Sequence, residues 1–260
     1  MDYDEKFDKI KFFVKTGIIV LSILVLIVLG IRYLPSAIYV TNSATSIDLP
    51  IYSVDHDEKL LSLSFDSALD SQNTEQILEI LSLHNVKATF FITGEWAGKY
   101  KKELKDIAAA GHDIGNNSES YQNMTQLTKQ EIIEELLQLH IRVKELTGIE
   151  MNLFRAPYGE FNNSLIQVAK DLGYYSIQWN VDSMDWKDYG AESIIRTVAY
   201  EDELKNGSII LMHNSAKYTT EALEGVIIHL QEEGYTFVPV SKLIYENNYY
   251  LDEDGRQYER

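Results

Sequence analysis

Alternation between two hydrophobic periods constrains this chain more than any other feature. From about Leu60 to Pro239, short runs rich in β-branched and aromatic residues alternate with amphipathic stretches of helical period. Parallel strands need a long crossover between them, and a helix is the usual one, so this pattern builds βα units around a mostly parallel sheet. Seven strands are expected, near Leu60–Phe65, Ala88–Ile92, Asp113–Gly115, Leu153–Arg155, Tyr174–Gln178, Ser208–Met212 and Thr236–Pro239. Helices are expected near Thr74–His84, Ala97–Ala110, Lys129–Thr147, Ser164–Leu172, Ala191–Val198 and Thr220–Glu233. Several end on a glycine (Gly111, Gly148, Gly173, Gly234), the residue that most easily takes the left-handed conformation closing a helix.

Asp66, Asn117, Arg155, the group Asp182 to Trp186, and His213 each fall at or just past the C-terminal end of a separate expected strand. Barrel-like α/β folds assemble their sites there, so these polar groups are expected to converge on one pocket.

The chain has 260 residues, enough for one large α/β domain with a well-buried core. Ahead of the alternating region, Gly17 to Ile31 is apolar apart from Ser22, near the lower limit for spanning a bilayer. A cleaved signal peptide is the rival reading, but no small-x-small cleavage site follows the run. Lys6, Lys9, Lys11 and Lys15 precede it and only Arg32 closely follows, which places the N-terminus in the cytoplasm and the domain outside. The organisation expected is a cytoplasmic N-terminus (1–16), a single-pass transmembrane anchor (17–34), a linker (35–56), the α/β domain (57–245) and a packed or frayed extension (246–260). The net charge of -17 makes nucleic acid an improbable partner and fits a solvated surface. The absence of cysteine fits a domain outside the cytoplasm that does without disulfides.

Five segments carry a resemblance: Leu63-Ser64-Phe65-Asp66-Ser67, Gly115-Asn116-Asn117-Ser118-Glu119-Ser120-Tyr121, Arg155-Ala156-Pro157-Tyr158-Gly159, Asp182-Ser183-Met184-Asp185-Trp186 and Leu211-Met212-His213. In this order and spacing the chain resembles the polysaccharide deacetylases of the NodB homology type, carbohydrate esterase family 4. The resemblance implies a distorted, incomplete (β/α)-barrel of about seven strands. It also implies hydrolysis of the C–N amide bond of N-acetyl sugars with a zinc-type divalent metal. The first motif is usually Thr-Phe-Asp-Asp and the second His-Ser/Thr-x-x-x-His, so Ser67, Asn117 and Tyr121 stand where the three metal ligands are implied. His213 to Thr219, Phe237 to Ser241, Asn248 to Tyr250 and Gly255 to Gln257 look like the sporulation-linked, membrane-anchored subgroup. Peptidoglycan of the cell wall or spore is the glycan so implied.

Carried over residue by residue, Asp66 is the expected general base and His213 the general acid. Arg155 would hold the base, and Asp185 would orient His213 and raise its pKa. The backbone after Arg155 falls at the oxyanion donor, and Tyr158 and Trp186 are the expected sugar-stacking residues. Asp182 reads equally well as a turn cap. Glu119 either turns toward Asp66 or faces solvent, His112 reads as structural, and Trp96 and Trp179 read as core. Ser67, Asn117 and Tyr121 offer a hydroxyl, an amide and a phenol, so no metal ligand is expected among them. Two functions stay open: a deacetylase-type hydrolase of altered chemistry, and a membrane-tethered glycan-binding or scaffolding pseudoenzyme.

Overall fold

The computed structural model describes residues 48–260. The expected cytoplasmic segment, the transmembrane anchor and the linker as far as residue 47 lie outside the described residues. Within them no helix is long and apolar enough to cross a membrane.

All seven expected strands form, as β2 (Leu60–Ser67), β3 (Thr89–Ile92), β4 (Asp113–Asn116), β5 (Leu153–Phe154), β6 (Tyr175–Ser176), β8 (Ser208–His213) and β9 (Thr236–Phe237). They belong to an 11-stranded sheet whose other members are β1 (Ser53–Val54), β7 (Val181–Asp182), β10 (Tyr249–Leu251) and β11 (Arg256–Glu259). The order is β10-β11-β1-β8-β2-β3-β4-β5-β6, with β7 added beside β8 and β9 beside β2. The run from β8 through β6 is parallel. At its far end Ile177 pairs with Ile51, two residues ahead of β1, so the curled sheet returns on itself through a single bridge. That is the distorted, incomplete barrel that the motifs implied.

The helices are α1 (Thr74–Leu83), α2 (Gly94–Lys99), α3 (Lys101–Ala109), α4 (Lys129–Thr147), α5 (Asn163–Asp171), α6 (Ala191–Ala199), α7 (Thr219–Glu232) and the short α8 (Val240–Leu243). Helix α4 has the expected bounds because both ends are written locally. Thr128 and Glu131 form a reciprocal capping box, and Gly148 closes the helix at φ 78°. The single helix expected over 97–110 is instead two. The Thr93 hydroxyl accepts from the Trp96 amide and starts α2 at Gly94, and Tyr100 leaves helical geometry at φ -114°, ψ 55°.

Strand β2 shows how the sheet divides the core. Leu61, Leu63 and Phe65 join the large apolar layer beneath the helices, whereas Ser64 and Asp66 meet Arg155 on the other face. Phe91, Leu153, Ile177 and Ile209 form a smaller cluster with Ile51 and Val54. Gly115 is required on this inner side, because a Cβ there would come within 2.4 Å of the Phe91 ring.

Two stretches placed outside the domain by the sequence are part of its sheet. Ile51 and Val54, within the expected linker 35–56, are buried, and β1 lies antiparallel to β8. The extension 246–260 folds as the hairpin β10–β11 and pairs in parallel with β1. Gln257 fixes the hairpin, its side-chain amide donating to the Tyr245 carbonyl and accepting from the Tyr245 N–H.

Candidate active site

Strand β2 ends at Asp66 and Ser67, β4 leads into Asn117, β5 into Arg155, β7 into the turn holding Asp185, and β8 ends at His213. Register pairs Asp66 with His213 across β2 and β8. The parallel sheet thus carries Asp66, Arg155, Asp185 and His213 to one rim.

Arg155 is fully buried and organises one half of the site. One terminal nitrogen donates to Asp66 Oδ1 at 2.9 Å, and the other donates to Ser64 Oγ at 2.8 Å and the Gln178 carbonyl at 3.1 Å. Its guanidinium lies 4.0 Å from the Phe91 ring centroid and 5.3 Å from that of Trp179. Burial lowers the guanidinium pKa while the Asp66 charge opposes it, and a guanidinium so paired stays charged.

Asp185 organises the other half. It is fully buried, and its Oδ1 accepts from His213 Nδ1 at 2.7 Å. Its Oδ2 accepts from the His213 backbone N–H at 2.7 Å and from the Thr219 hydroxyl at 2.6 Å. With Nδ1 committed, Nε2 is the imidazole nitrogen left to exchange a proton. Burial works against the imidazolium, but the Asp185 hydrogen bond and the charges of Asp185, Asp66 and Asp182 outweigh it, and the pKa rises.

A pH prediction follows. His213 is expected to titrate above the ordinary value of about 6.5, and Asp185→Asn is expected to return it toward that value, as NMR titration would read. A raised folded-state pKa contributes stability that is full below about 6.5 and lost as pH rises through the folded value. His112 acts in the opposite window. It accepts the Ala88 amide at 3.1 Å, and burial holds its pKa down to about 4. Its contribution is lost as pH falls from about 6.5 toward 4.

Asp182 caps its own turn, accepting the Met184 amide at 2.8 Å, and adds negative charge near His213. Glu119 takes neither of its expected positions. Its carboxylate is held 2.7 Å from Arg142 in the space above Gly94, where any Cβ would collide with it. Trp96 is buried core, whereas Trp179 is half-buried against Arg155. Tyr158 and Trp186 are 63% and 55% exposed, with the Tyr121 ring 4.8 Å from that of Tyr158 and Lys187 Nζ 5.0 Å over that of Trp186. Of the residues that hold the two charged pairs, Ser64 lies in the first motif and Thr219 ends the His213 to Thr219 stretch, but the resemblance assigns neither of them a role, and Gln178 carries no motif signal.

The family's metal positions hold a different chemistry. Ser67 and Asn117 are fully buried, and Ser67 Oγ and both Asn117 side-chain polar atoms have no hydrogen-bond partner. Tyr121 takes φ 56°, its N–H donates to Ser118 Oγ at 3.0 Å, and its ring lies 4.8 Å from that of Tyr158. Burial, then the Asp66 charge, pushes its phenol pKa up, so the hydroxyl keeps its proton. The Tyr158 backbone amide, the expected oxyanion donor, interacts with this phenol. A hydroxyl, an amide and a protonated phenol do not fit a zinc-type cation, which takes imidazole, carboxylate or thiolate.

A family model described as polysaccharide deacetylase matches residues 53–177. The chain is 33% identical to the peptidoglycan-N-acetylmuramic acid deacetylase PdaA of Bacillus subtilis, over 73% of this chain and 73% of that protein. It is 32% identical to the uncharacterized protein YlxY of the same organism, over 76% of this chain but only 61% of YlxY's length. Among solved structures it is similar to BA3943, a family 4 carbohydrate esterase pseudoenzyme from Bacillus anthracis. That match has 31% identity and a TM-score of 0.72, and covers 82% of this chain and 73% of the other. A mutant of that pseudoenzyme has restored enzymatic activity.

Proposed function

The chain belongs to the polysaccharide deacetylase family, and on that footing we propose that its domain recognises N-acetylated, peptidoglycan-type glycan at the strand-end cleft without metal-dependent hydrolysis. One observation carries this reading. The Asp66–Arg155 and Asp185–His213 pairs stand intact around Ser67, Asn117 and Tyr121, three groups unsuited to a divalent cation. Tyr158 and Trp186 supply the apolar faces that stack on sugar rings.

A second reading rests on the same two pairs, because a purely binding cleft has little need of a buried carboxylate clamped by arginine and a histidine oriented by aspartate. In it Asp66 acts as general base, His213 protonates the leaving amine, and Arg155 and Asp185 position them. Losing Lewis-acid stabilisation slows such a reaction by on the order of a thousandfold.

Asp66→Asn separates the two. On the binding reading it leaves affinity for an N-acetylglucosamine oligosaccharide nearly unchanged, with no acetate released before or after the substitution. On the hydrolytic reading it abolishes a measurable acetate release. A release rate that survives the substitution would sink Asp66 as base. The apolar run at 17–34 would hold this domain on the outer face of the membrane, beside the cell wall or spore glycan, with residues 1–16 in the cytoplasm.

A further inference from the structure

Asn116 and Asn117 are adjacent and fully buried, yet their chemistry differs. The Asn116 amide donates to the Leu136 carbonyl at 2.9 Å and the Tyr174 hydroxyl at 3.1 Å, and accepts the Ser118 N–H at 2.9 Å. Asn117 makes none of these bonds: its Oδ1 and Nδ2 are both unpartnered, and so is Ser67 Oγ. An orphaned buried polar group is costly, and an apolar side chain of the same shape would avoid the cost. Three such atoms, buried together at the end of β2 and just past that of β4, are therefore matched to something other than the protein.

Their inventory identifies the match. Asn117 Nδ2 donates, Asn117 Oδ1 accepts, Ser67 Oγ does both, and none carries charge. The neighbouring carboxylates are engaged elsewhere, Asp66 with Arg155 and Glu119 with Arg142. Such a set suits a neutral amide better than an ion. A trans secondary amide points its C=O and N–H in opposite directions, so two separate protein groups must meet it. Ser67 and Asn117 are separated by one strand: Ile92 on β3 pairs with Ser67, and its carbonyl accepts the Asn117 N–H at 2.9 Å.

We infer that Ser67 and Asn117 are the specificity-determining residues that read the acetamide of an N-acetyl sugar, with Asn117 Nδ2 donating to the acetyl carbonyl and Ser67 Oγ accepting the acetamide N–H. This rests on the glycan-binding reading and deepens it, because it turns the lost metal positions into the recognition element.

The test compares an N-acetylglucosamine tetrasaccharide with a neutral β-1,4-glucose tetrasaccharide by calorimetry. The unaltered domain is expected to prefer the acetylated ligand by about tenfold or more, the scale of one well-made buried hydrogen bond. Asn117→Leu is expected to erase that preference while leaving the ligand-free melting temperature equal or higher, since it removes two unpaired atoms. Should that variant fail to fold, Ser67→Ala decides, with an expected loss of severalfold in the preference. A preference that survives both substitutions, or a lower melting temperature in Asn117→Leu, would overturn the inference and leave glycan binding standing. Failure of the unaltered domain to bind either ligand would overturn the glycan reading itself, and this inference with it.

Discussion

Changing Ser67 to Asp, Asn117 to His and Tyr121 to His in one protein is expected to create micromolar or tighter zinc binding and to raise acetate release from N-acetyl glycan on the order of a thousandfold. The groups now present give zinc nothing anionic, because the Tyr121 phenol is pushed up by burial and by the Asp66 charge. The Asp66–Arg155 and Asp185–His213 pairs are both formed. Arg155 has both terminal nitrogens committed to Asp66, Ser64 and Gln178, so a carboxylate at position 67 would not be drawn into an arginine pair at those atoms. Asp185 already fixes His213 through two hydrogen bonds and is itself held by a third, donated by the Thr219 hydroxyl. Ser67→Asp alone should gain far less, since Asn117 and Tyr121 would still leave the cation short of ligands. Calorimetric zinc titration followed by an acetate assay checks both halves. A triple variant that bound zinc tightly yet released no acetate would show that these three positions alone do not decide hydrolysis.

What could be read in the sequence and what could not divide on a physical line. Helix α4 was legible to the residue because its signals, Thr128 with Glu131 and then Gly148, act over three or four residues. The charged pairs were legible through the motif resemblance, and Asp66, Arg155 and His213 also because each lies at the end of a β-rich run. Strands β1 and β7 hold two residues each and form only against partners distant in sequence, β11 and β8 for β1 and β8 for β7. The bridge from Ile51 to Ile177 joins segments 126 positions apart, and no local pattern encodes it. The same limit hid Ser64, Gln178 and Thr219, whose importance comes from what faces them. Glu119 was misplaced because its direction depends on Ser118 at φ 68° and on the missing side chain at Gly94. Ser118, Tyr121, Tyr158, Met184 and Asp188 all take positive φ without being glycine. Ser118 and Tyr121 follow β4, Tyr158 follows β5, and Met184 and Asp188 follow β7, so local propensity is overridden in the turns past the strand ends.

Arg155→Met is expected to cost about 3–5 kcal/mol of folding stability, the scale of leaving one partner of a buried ion pair uncompensated. Methionine fills much of the same volume between Phe91 and Trp179, so the loss is chiefly electrostatic. Asp66, with a side chain only 7% exposed, would keep a charge and lose the cation beside it. The Gln178 carbonyl would lose its guanidinium donor, whereas Ser64 would retain its own bond to the Ile210 carbonyl at 2.8 Å. Asp66→Asn removes the opposite partner and leaves the guanidinium buried with Ser64 and Gln178 alone. Combining the two removes both charges, so the double variant is expected to be more stable than Arg155→Met and the two costs to be strongly non-additive. Urea unfolding of the wild-type, the two single variants and the double variant completes the cycle. Additive costs would mean that Arg155 supports the strand ends through packing alone, and that the carboxylate of Asp66 is held in place by the rim around it rather than by the guanidinium.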